Sequence, residues 1–347
     1  MSLIPRTLDT GIWGVDSMNR RWIALLVLVV VVSSGVVGVF VFRIPTHVAV
    51  EARHPPEHHS QITLAAVTDF TKPGSGSGCE CVRSGSGTAT DPYYISDWIV
   101  NSTNTDGIDI SEIDTHFVID RVDLRGHSGN NGVSIGGAKN GIFENSQITG
   151  WWFGVYAIRS SNMQFINNTI TGNQYGIQLE GSNNNELLAN RIEENEELGI
   201  FVRGSNNMVR DNSVIGNRWG GINVDGTAGP ANANQIENNV VSDNNVFGIG
   251  LWLGANNVFR SNTVTHNNVT GIMITMDSTK NIVEANNVTK NGGSGIIIIG
   301  DSTENTIRQN VARGNGDGVK DFDLYDMSSG NIWQNNTYDT KKPDSIS

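Results

Sequence analysis

Gly176-Ile177-Gln178-Leu179-Glu180-Gly181-Ser182-Asn183-Asn184-Asn185-Glu186-Leu187-Leu188-Ala189-Asn190-Arg191-Ile192-Glu193-Glu194-Asn195 is the stretch on which the fold turns. It opens with a glycine, an aliphatic residue, any residue and a second aliphatic. Asn190 and Asn195 then bracket the apolar Ile192, and Leu187 lies upstream of both. Upstream copies of the opening are Gly132-Val133-Ser134-Ile135 and Gly154-Val155-Tyr156-Ala157, and Gly107-Ile108-Asp109-Ile110 looks like an earlier one. Downstream it returns at Gly199, Gly221, Gly248, Gly271, Gly295 and, more weakly, Gly318, at intervals of 22 to 27 residues. The longest interval holds the turn-rich insertion Gly226-Thr227-Ala228-Gly229-Pro230.

Two asparagine columns keep phase with the glycines. One is Asn168, Asn190, Asn212, Asn239, Asn262, Asn286 and Asn310; the other is Asn173, Asn195, Asn217, Asn244, Asn267, Asn291 and Asn315. Ile170, Ile192, Val214, Val241, Val264, Val288 and Ala312 lie between them. A further apolar column reads Phe165, Leu187, Val209, Ile236, Val258, Ile282 and Thr306 or Ile307. Each repeat therefore offers three short alternating strands, and period-2 alternation sends one set of side chains inward. Propeller blades of about 40–50 residues are too long for this period, and leucine-rich repeats carry a different pattern. What remains is one turn of a parallel β-helix per repeat. Like residues then stack about 4.8 Å apart, and an asparagine amide, both donor and acceptor, can bond along such a stack. Glycine and asparagine are also expected to supply left-handed backbone at the corners. Of the 42 Asn, 39 lie between Asn130 and Asn336, so most of the Asn excess belongs to the repeat.

The front of the chain differs. Trp22 to Phe42 is an uncharged run of 21 residues, long enough to cross a bilayer core of about 30 Å as a helix. It exceeds the roughly 7–15 apolar residues of a cleaved signal peptide, so an uncleaved signal-anchor is expected. Arg6, Arg20 and Arg21 precede it and Arg43 and Arg53 follow, a weak bias for a cytoplasmic N-terminus. The division predicted is a cytoplasmic segment 1–21, a transmembrane helix 22–42 and a flexible linker 43–84. A lead-in cap 85–106, a β-helix of about ten coils over 107–338 and a tail 339–347 complete it. Residues 85–106 should cover one end of the helix and Trp333 with Tyr338 the other. The net charge of −12 argues against a nucleic-acid partner, which needs a basic face.

The repeat unit 176–195 resembles the NosD-like, or CASH-type (carbohydrate-binding and sugar hydrolase), right-handed parallel β-helix proteins. The resemblance covers roughly 107–338. Gly87-Thr88-Ala89-Thr90-Asp91-Pro92-Tyr93-Tyr94-Ile95 with Trp98 looks like the lead-in of archaeal members, and Asp323-Leu324-Tyr325-Asp326 with Asn331 and Trp333 like their closing coil. The resemblance implies an all-β right-handed parallel β-helix with a ligand groove along one sheet. It does not select among polysaccharide-active enzymes, surface proteins and a periplasmic copper-maturation accessory, because fold does not determine function.

Chemistry is sought on the outward positions of the strand after each glycine. These are Tyr156, Gln178, Phe201, Asn223, Gly250 and Met273, then, two residues on, Ile158, Glu180, Arg203, Asp225 and Trp252. Glu180 and Asp225 fall two coils apart, about 9–10 Å, near the roughly 6.5–9.5 Å of inverting glycosidases. They are the catalytic candidates. Gln178, Phe201, Arg203, Trp219, Asn223 and Trp252 are candidates for binding sugar, with Trp151 and Trp152 as further aromatics. An arginine between two carboxylates lowers both their pKa values, which disfavours a general acid; the competing reading is a solvated ion-pair ladder.

No cofactor is expected. Calcium would rest only on Asp277 with Asp301, and copper on His54, Glu57, His58 and His59 or on Met273 with Met276; none of these is a ligand set of the required density. Cys79-Glu80-Cys81 leaves a disulfide, two thiols, an intermolecular bond or a metal contact open. Of five sequons, Asn101 and Asn268 are the better glycosylation candidates. The expectation is a monomeric, single-pass membrane protein holding an extracytoplasmic β-helix that binds polysaccharide or a surface partner. The alternatives are a polysaccharide lyase or hydrolase and a copper accessory.

Overall fold

The structure is a computed structural model that describes residues 54–127 and 129–346, together with two short strands inside the apolar run. The chain divides into two compact units, Met1–Arg53 and His54–Ser347. In the first, Leu28–Ser33 and Val36–Val41 pair antiparallel, with Leu28 opposite Val41 and Ser33 opposite Val36. The helix expected over 22–42 is not shown: these two strands are the only part of that run among the described residues, and no helix among the described residues is long and apolar enough to cross a membrane. Valine supplies most of both strands, and β-branched side chains favour extended backbone. The rest of 1–53, including the expected cytoplasmic segment 1–21, lies outside the described residues.

The second unit winds through three parallel sheets. Among the described residues, sheet 1 has 12 strands, sheet 2 has 11 and sheet 3 has 12. One coil runs Tyr175–Glu180 in sheet 1, Glu186–Leu188 in sheet 2 and Arg191–Glu193 in sheet 3. The next coil lies directly on it: Ile177 faces Ile200, Leu187 faces Val209, and Ile192 faces Val214. This is the parallel β-solenoid expected from the repeat. Its interior is a continuous apolar stack that includes Ile177, Leu179, Leu187 and Ile192, all buried.

One column differs from its reading. Val258 and Ile282 face outward and half-buried, while Phe259 and Val283 occupy the core opposite Ile236 and Ile307. Where two apolar residues adjoin, hydrophobicity cannot choose the phase. The preceding asparagine can: the core residue falls two positions after Asn234, Asn257 and Asn281 alike.

Those asparagines form a third ladder, Asn185, Asn207, Asn234, Asn257, Asn281, Asn305 and Asn331. All three ladders run in one direction. Asn190 is typical: its Oδ1 accepts from Asn168 N and Nδ2, while its own N and Nδ2 donate to Asn212 Oδ1, at 2.9–3.0 Å. Its second amide hydrogen reaches the Phe165 carbonyl at 2.8 Å. The corner geometry is made just before each ladder residue, where Asn167, Asn184, Ala189 and Glu194 have φ between 53° and 58°. The repeat glycines serve a different end from the one expected. A Cβ on Gly176 would lie 2.3 Å from the Gly199 carbonyl oxygen and 2.7 Å from Ile192 Cγ2, so close coil stacking excludes any side chain there.

The ends also differ. Residues 54–84, read as linker, belong to the solenoid unit. Glu57–His59 pairs with Trp98–Asn101, and Ile62–Leu64 with Ile108–Ser111. Residues 85–106 therefore contribute ordinary strands. The core at this end is closed by Phe70, Cys81 and Val82, with Phe70 stacked on Tyr93 at 4.5 Å. Cys79 and Cys81 form a disulfide. Alternating apolar residues at Ile62 and Leu64 were the available signal, masked by the flanking Pro, Gly and Ser. At the other end Trp333 and Ile346 are buried and Tyr338 packs against them. Lys341–Lys342 pairs with Leu324–Asp326, so 339–347 is not a free tail.

Candidate functional site

Sheet 1 has the longest strands, six residues in Phe153–Ile158, Tyr175–Glu180, Gly220–Asp225, Phe247–Trp252 and Thr270–Thr275, against three or four in sheet 2. Its outer face is correspondingly broad. Register places Tyr156, Gln178, Phe201, Asn223, Gly250 and Met273 in one row across successive coils. Ile158, Glu180 and Arg203 stand in a second row, as do Asp225, Trp252 and Thr275.

Arg203 joins two carboxylates. Its Nη2 and Nε lie 3.0 and 3.2 Å from Asp225 Oδ2, and its Nη1 lies 3.4 Å from Glu180 Oε2. Asp225 is buried, at 1% side-chain exposure, while Glu180 is 25% exposed. The other Asp225 oxygen accepts the Thr227 backbone N–H at 2.7 Å, which anchors the insertion that lengthens this coil. Gln178 Nε2 donates to Glu180 Oε2 at 3.1 Å, and the Arg203 guanidinium lies over the Phe201 ring. Beside the triad is a cleft of about 320 Å³ lined by Glu180, Asn183, Arg203, Ser205 and the insertion residues Ala228 to Pro230. Asp225 is not among the lining residues.

Aromatic rings flank this polar centre. On one side Phe153 stacks with Tyr156 and Tyr175 at 4.9 and 5.0 Å, with Trp152 at the edge and 43% exposed. On the other, Trp219, Phe247 and Trp252 lie within 5.7–6.2 Å of one another. Burial and the nearby Glu180 charge raise the Tyr156 phenol, and burial with Glu197 raises Tyr175, so both hydroxyls keep their protons. Trp151 is not part of this surface: it is buried in the core, where its Nε1 donates to the Leu124 carbonyl at 3.2 Å. Sequence spacing alone does not disclose the Phe153–Tyr175 stack, because Phe153 precedes the repeat glycine and its outward direction follows from register.

The metal candidates separate. His59 has Nε2 2.9 Å from the Cys79 carbonyl oxygen and Nδ1 2.8 Å from that of Ser60, so both nitrogens are engaged. Asp277 and Asp301 sit at left-handed corners, Met273 packs among the aromatics, and Met276 is exposed. Among the described residues no group of three or more His, Cys, Asp or Glu is arranged to hold a metal. Asn101 and Asn268 are both exposed, with Asn268 Nδ2 donating to Asn245 Oδ1 at 2.7 Å.

Residues 82–232 match the family model described as the right handed beta helix region. The second unit is a parallel β-solenoid of this right-handed type. Residues 198–343 of this β-helix also match the model described as periplasmic copper-binding protein (NosD). Within that span His266 is the only His or Cys, its Nδ1 3.0 Å from Thr265 Oγ1, and the span also holds the methionine candidates Met273 and Met276. No curated protein sequence matches the chain. Among solved structures, the β-helix is similar to the mannuronan C-5 epimerase AlgE4 A-module of Azotobacter vinelandii, at 12% identity and TM-score 0.55, covering 84% of this chain and 90% of that one. It is similar to the periplasmic alginate epimerase AlgG at 16% identity and TM-score 0.51, covering 71% and 77%. The Dettilon tailspike protein gives 14% identity and TM-score 0.51, covering 70% and 61%. These likenesses are of fold.

Proposed function

We propose that this β-helix is a glycan-binding surface module whose ligand lies along the outer face of sheet 1. The observation that carries the reading is the composition of that face: Trp152, Tyr175, Trp219 and Trp252 around two neighbouring rows, one with Gln178 and Asn223 and the other with Glu180 and Arg203. Aromatic rings stack on the apolar faces of sugars, and amides and charged groups bond their hydroxyls. Catalysis is the second reading, and the cleft beside Glu180 favours it. Against it, Asp225 is buried, paired with Arg203 and bonded to Thr227, which suits holding a loop better than activating a water. Copper forms no part of the reading.

The apolar run 22–42 completes the proposal as a membrane anchor. A two-stranded hairpin leaves its outer N–H and C=O groups unpaired, which lipid cannot satisfy, whereas a helix closes them internally. In a bilayer the run is therefore helical, residues 1–21 are cytoplasmic and the β-helix is extracytoplasmic. Retention of the chain in the membrane pellet after alkaline extraction is the expected result; release into the supernatant contradicts the anchor. Affinity electrophoresis of the full chain through gels holding soluble polysaccharides tests the face itself. Retardation by at least one polysaccharide, lost in Trp219→Ala with Trp252→Ala, is expected; unretarded migration in every gel contradicts the reading.

A further inference from the structure

Asn223 breaks the rule that the other buried asparagines keep. The ladder asparagines are buried with their amides bonded, as at Asn190. Asn223 is fully buried on the outer side of sheet 1, between Phe201 of one coil and Gly250 of the next, and neither its Oδ1 nor its Nδ2 has a hydrogen-bond partner. An unpaired buried amide is destabilising, and an apolar residue of the same shape would relieve it.

The cover is Phe247. A Cβ on Gly220 would lie 2.4 Å from Phe247 Cζ, and one on Gly250 would lie 2.9 Å from Asn223 Oδ1 and 3.0 Å from Phe247 Cε2. Two glycines thus clear the slot this ring occupies, and its edge and the Asn223 oxygen both border the space left open at Gly250. Phe247 belongs to a small cluster with Leu198 and Phe201, separate from the main core and bordered by Trp219, Trp252 and Met273. Rotating it outward leaves the solenoid interior closed.

We propose that Asn223 is a covered subsite for a pair of adjacent hydroxyls on a neutral sugar, with Phe247 as its movable lid. The proposal rests on the glycan-binding reading of this face and names the chemistry of its central subsite. An uncovered amide presents one donor and one acceptor side by side, the complement of two neighbouring hydroxyls, one accepting and one donating. Trp219 and Trp252 then flank the ring as stacking surfaces. Charge selects against acidic sugars. Glu180 and Asp225 oppose the single Arg203, so the centre is net negative, in a chain of net charge −12, and a carboxylated sugar is repelled.

The test titrates the full chain calorimetrically with a neutral gluco-oligosaccharide, a neutral manno-oligosaccharide and a uronate oligosaccharide of the same length, and measures Tm for each variant. Wild type should bind a neutral oligomer at least about tenfold more tightly than the uronate. Asn223→Leu should weaken that binding by at least about tenfold and raise Tm by about 2–6 °C. Phe247→Ala, which removes the lid without touching the amide, should strengthen binding several-fold by uncovering the competent state. Asn223→Leu with unchanged affinity or lowered Tm, or a preference for the uronate, overturns this subsite while leaving glycan binding by the face intact. Absence of binding to all three by wild type and by Phe247→Ala overturns the subsite, whereas retention of wild type by some other polysaccharide in the gels keeps the broader reading.

Discussion

Asp323 Oδ1 accepts both the backbone N–H and the Nδ2 amide of Asn315, at 2.9 and 2.8 Å, and so terminates the ladder that runs from Asn173. Each ladder oxygen takes two donors from the coil before it, so the last asparagine must hand its donors to something else. Asp323 Oδ2 meanwhile accepts Asp339 N, Thr340 N and Thr340 Oγ1. One buried carboxylate thus closes the ladder and ties down the C-terminal strand. Asp323→Ala should cost on the order of 3 kcal/mol, seen as faster amide exchange in the last coils, while Asp323→Asn, which keeps an oxygen for Asn315, should cost less. Unchanged exchange in Asp323→Ala contradicts this role.

Arg203 neutralises a buried partner and a partly exposed one, and the two should respond differently. Arg203→Met leaves Asp225 buried without its charge partner, a loss of about 3–5 kcal/mol in denaturant unfolding. Glu180→Gln removes only a partly exposed pair and should cost less than about 1 kcal/mol. Equal effects would show that Asp225 gains water access when Arg203 is removed.

Glu144 supplies a pH dependence. It stacks on Asp120 in sheet 2, and burial, followed by the Asp120 charge, raises its carboxyl to about 7 against the partial opposition of Arg121. The folded form keeps a proton that the unfolded chain has lost near pH 4.5. This group's stabilisation is therefore complete below about pH 4.5 and disappears as pH rises to about 7. Tm should fall across that window in wild type and fall less in Glu144→Gln. Parallel curves would place the titration elsewhere.

Gly176 and Gly229 separate steric need from composition. Gly176→Ala forces a Cβ against the Gly199 carbonyl and should destabilise by about 1–3 kcal/mol or more. Nothing lies within 4 Å of a Cβ on Gly229, so Gly229→Ala should change stability by no more than about 0.5 kcal/mol. Thermal melts of the pair decide it, and tolerance at Gly176 would mean that neighbouring coils can spread.

The solenoid was readable because its period repeats: a misread residue in one coil is corrected by its neighbours, as Ile236 and Ile307 correct Val258 to Phe259. The ends have no such redundancy. Ile62 and Leu64 make one strand between Pro- and Gly-rich segments, and nothing local distinguishes it from a spacer. At the site, the row Glu180, Arg203 and Asp225 followed from spacing alone. The burial of Asp225 did not, since it depends on how the 226–230 insertion folds over, nor did the placing of the Phe247 ring beside Asn223, which needs Gly220 and Gly250 from different coils. The Val-rich run 22–42 carries opposed signals: its length argues for a membrane helix, and its β-branching favours extended backbone.

Sugar binding by the outer face of sheet 1 is proposed to rest on its aromatics. Trp219 and Trp252 make it directly measurable by intrinsic fluorescence of the full chain during titration with neutral oligosaccharides. A saturable change in emission is expected that is abolished in the Trp219→Ala, Trp252→Ala double variant with its Tm retained. Saturable binding that the double variant keeps, or no saturable change with any oligosaccharide, would contradict it.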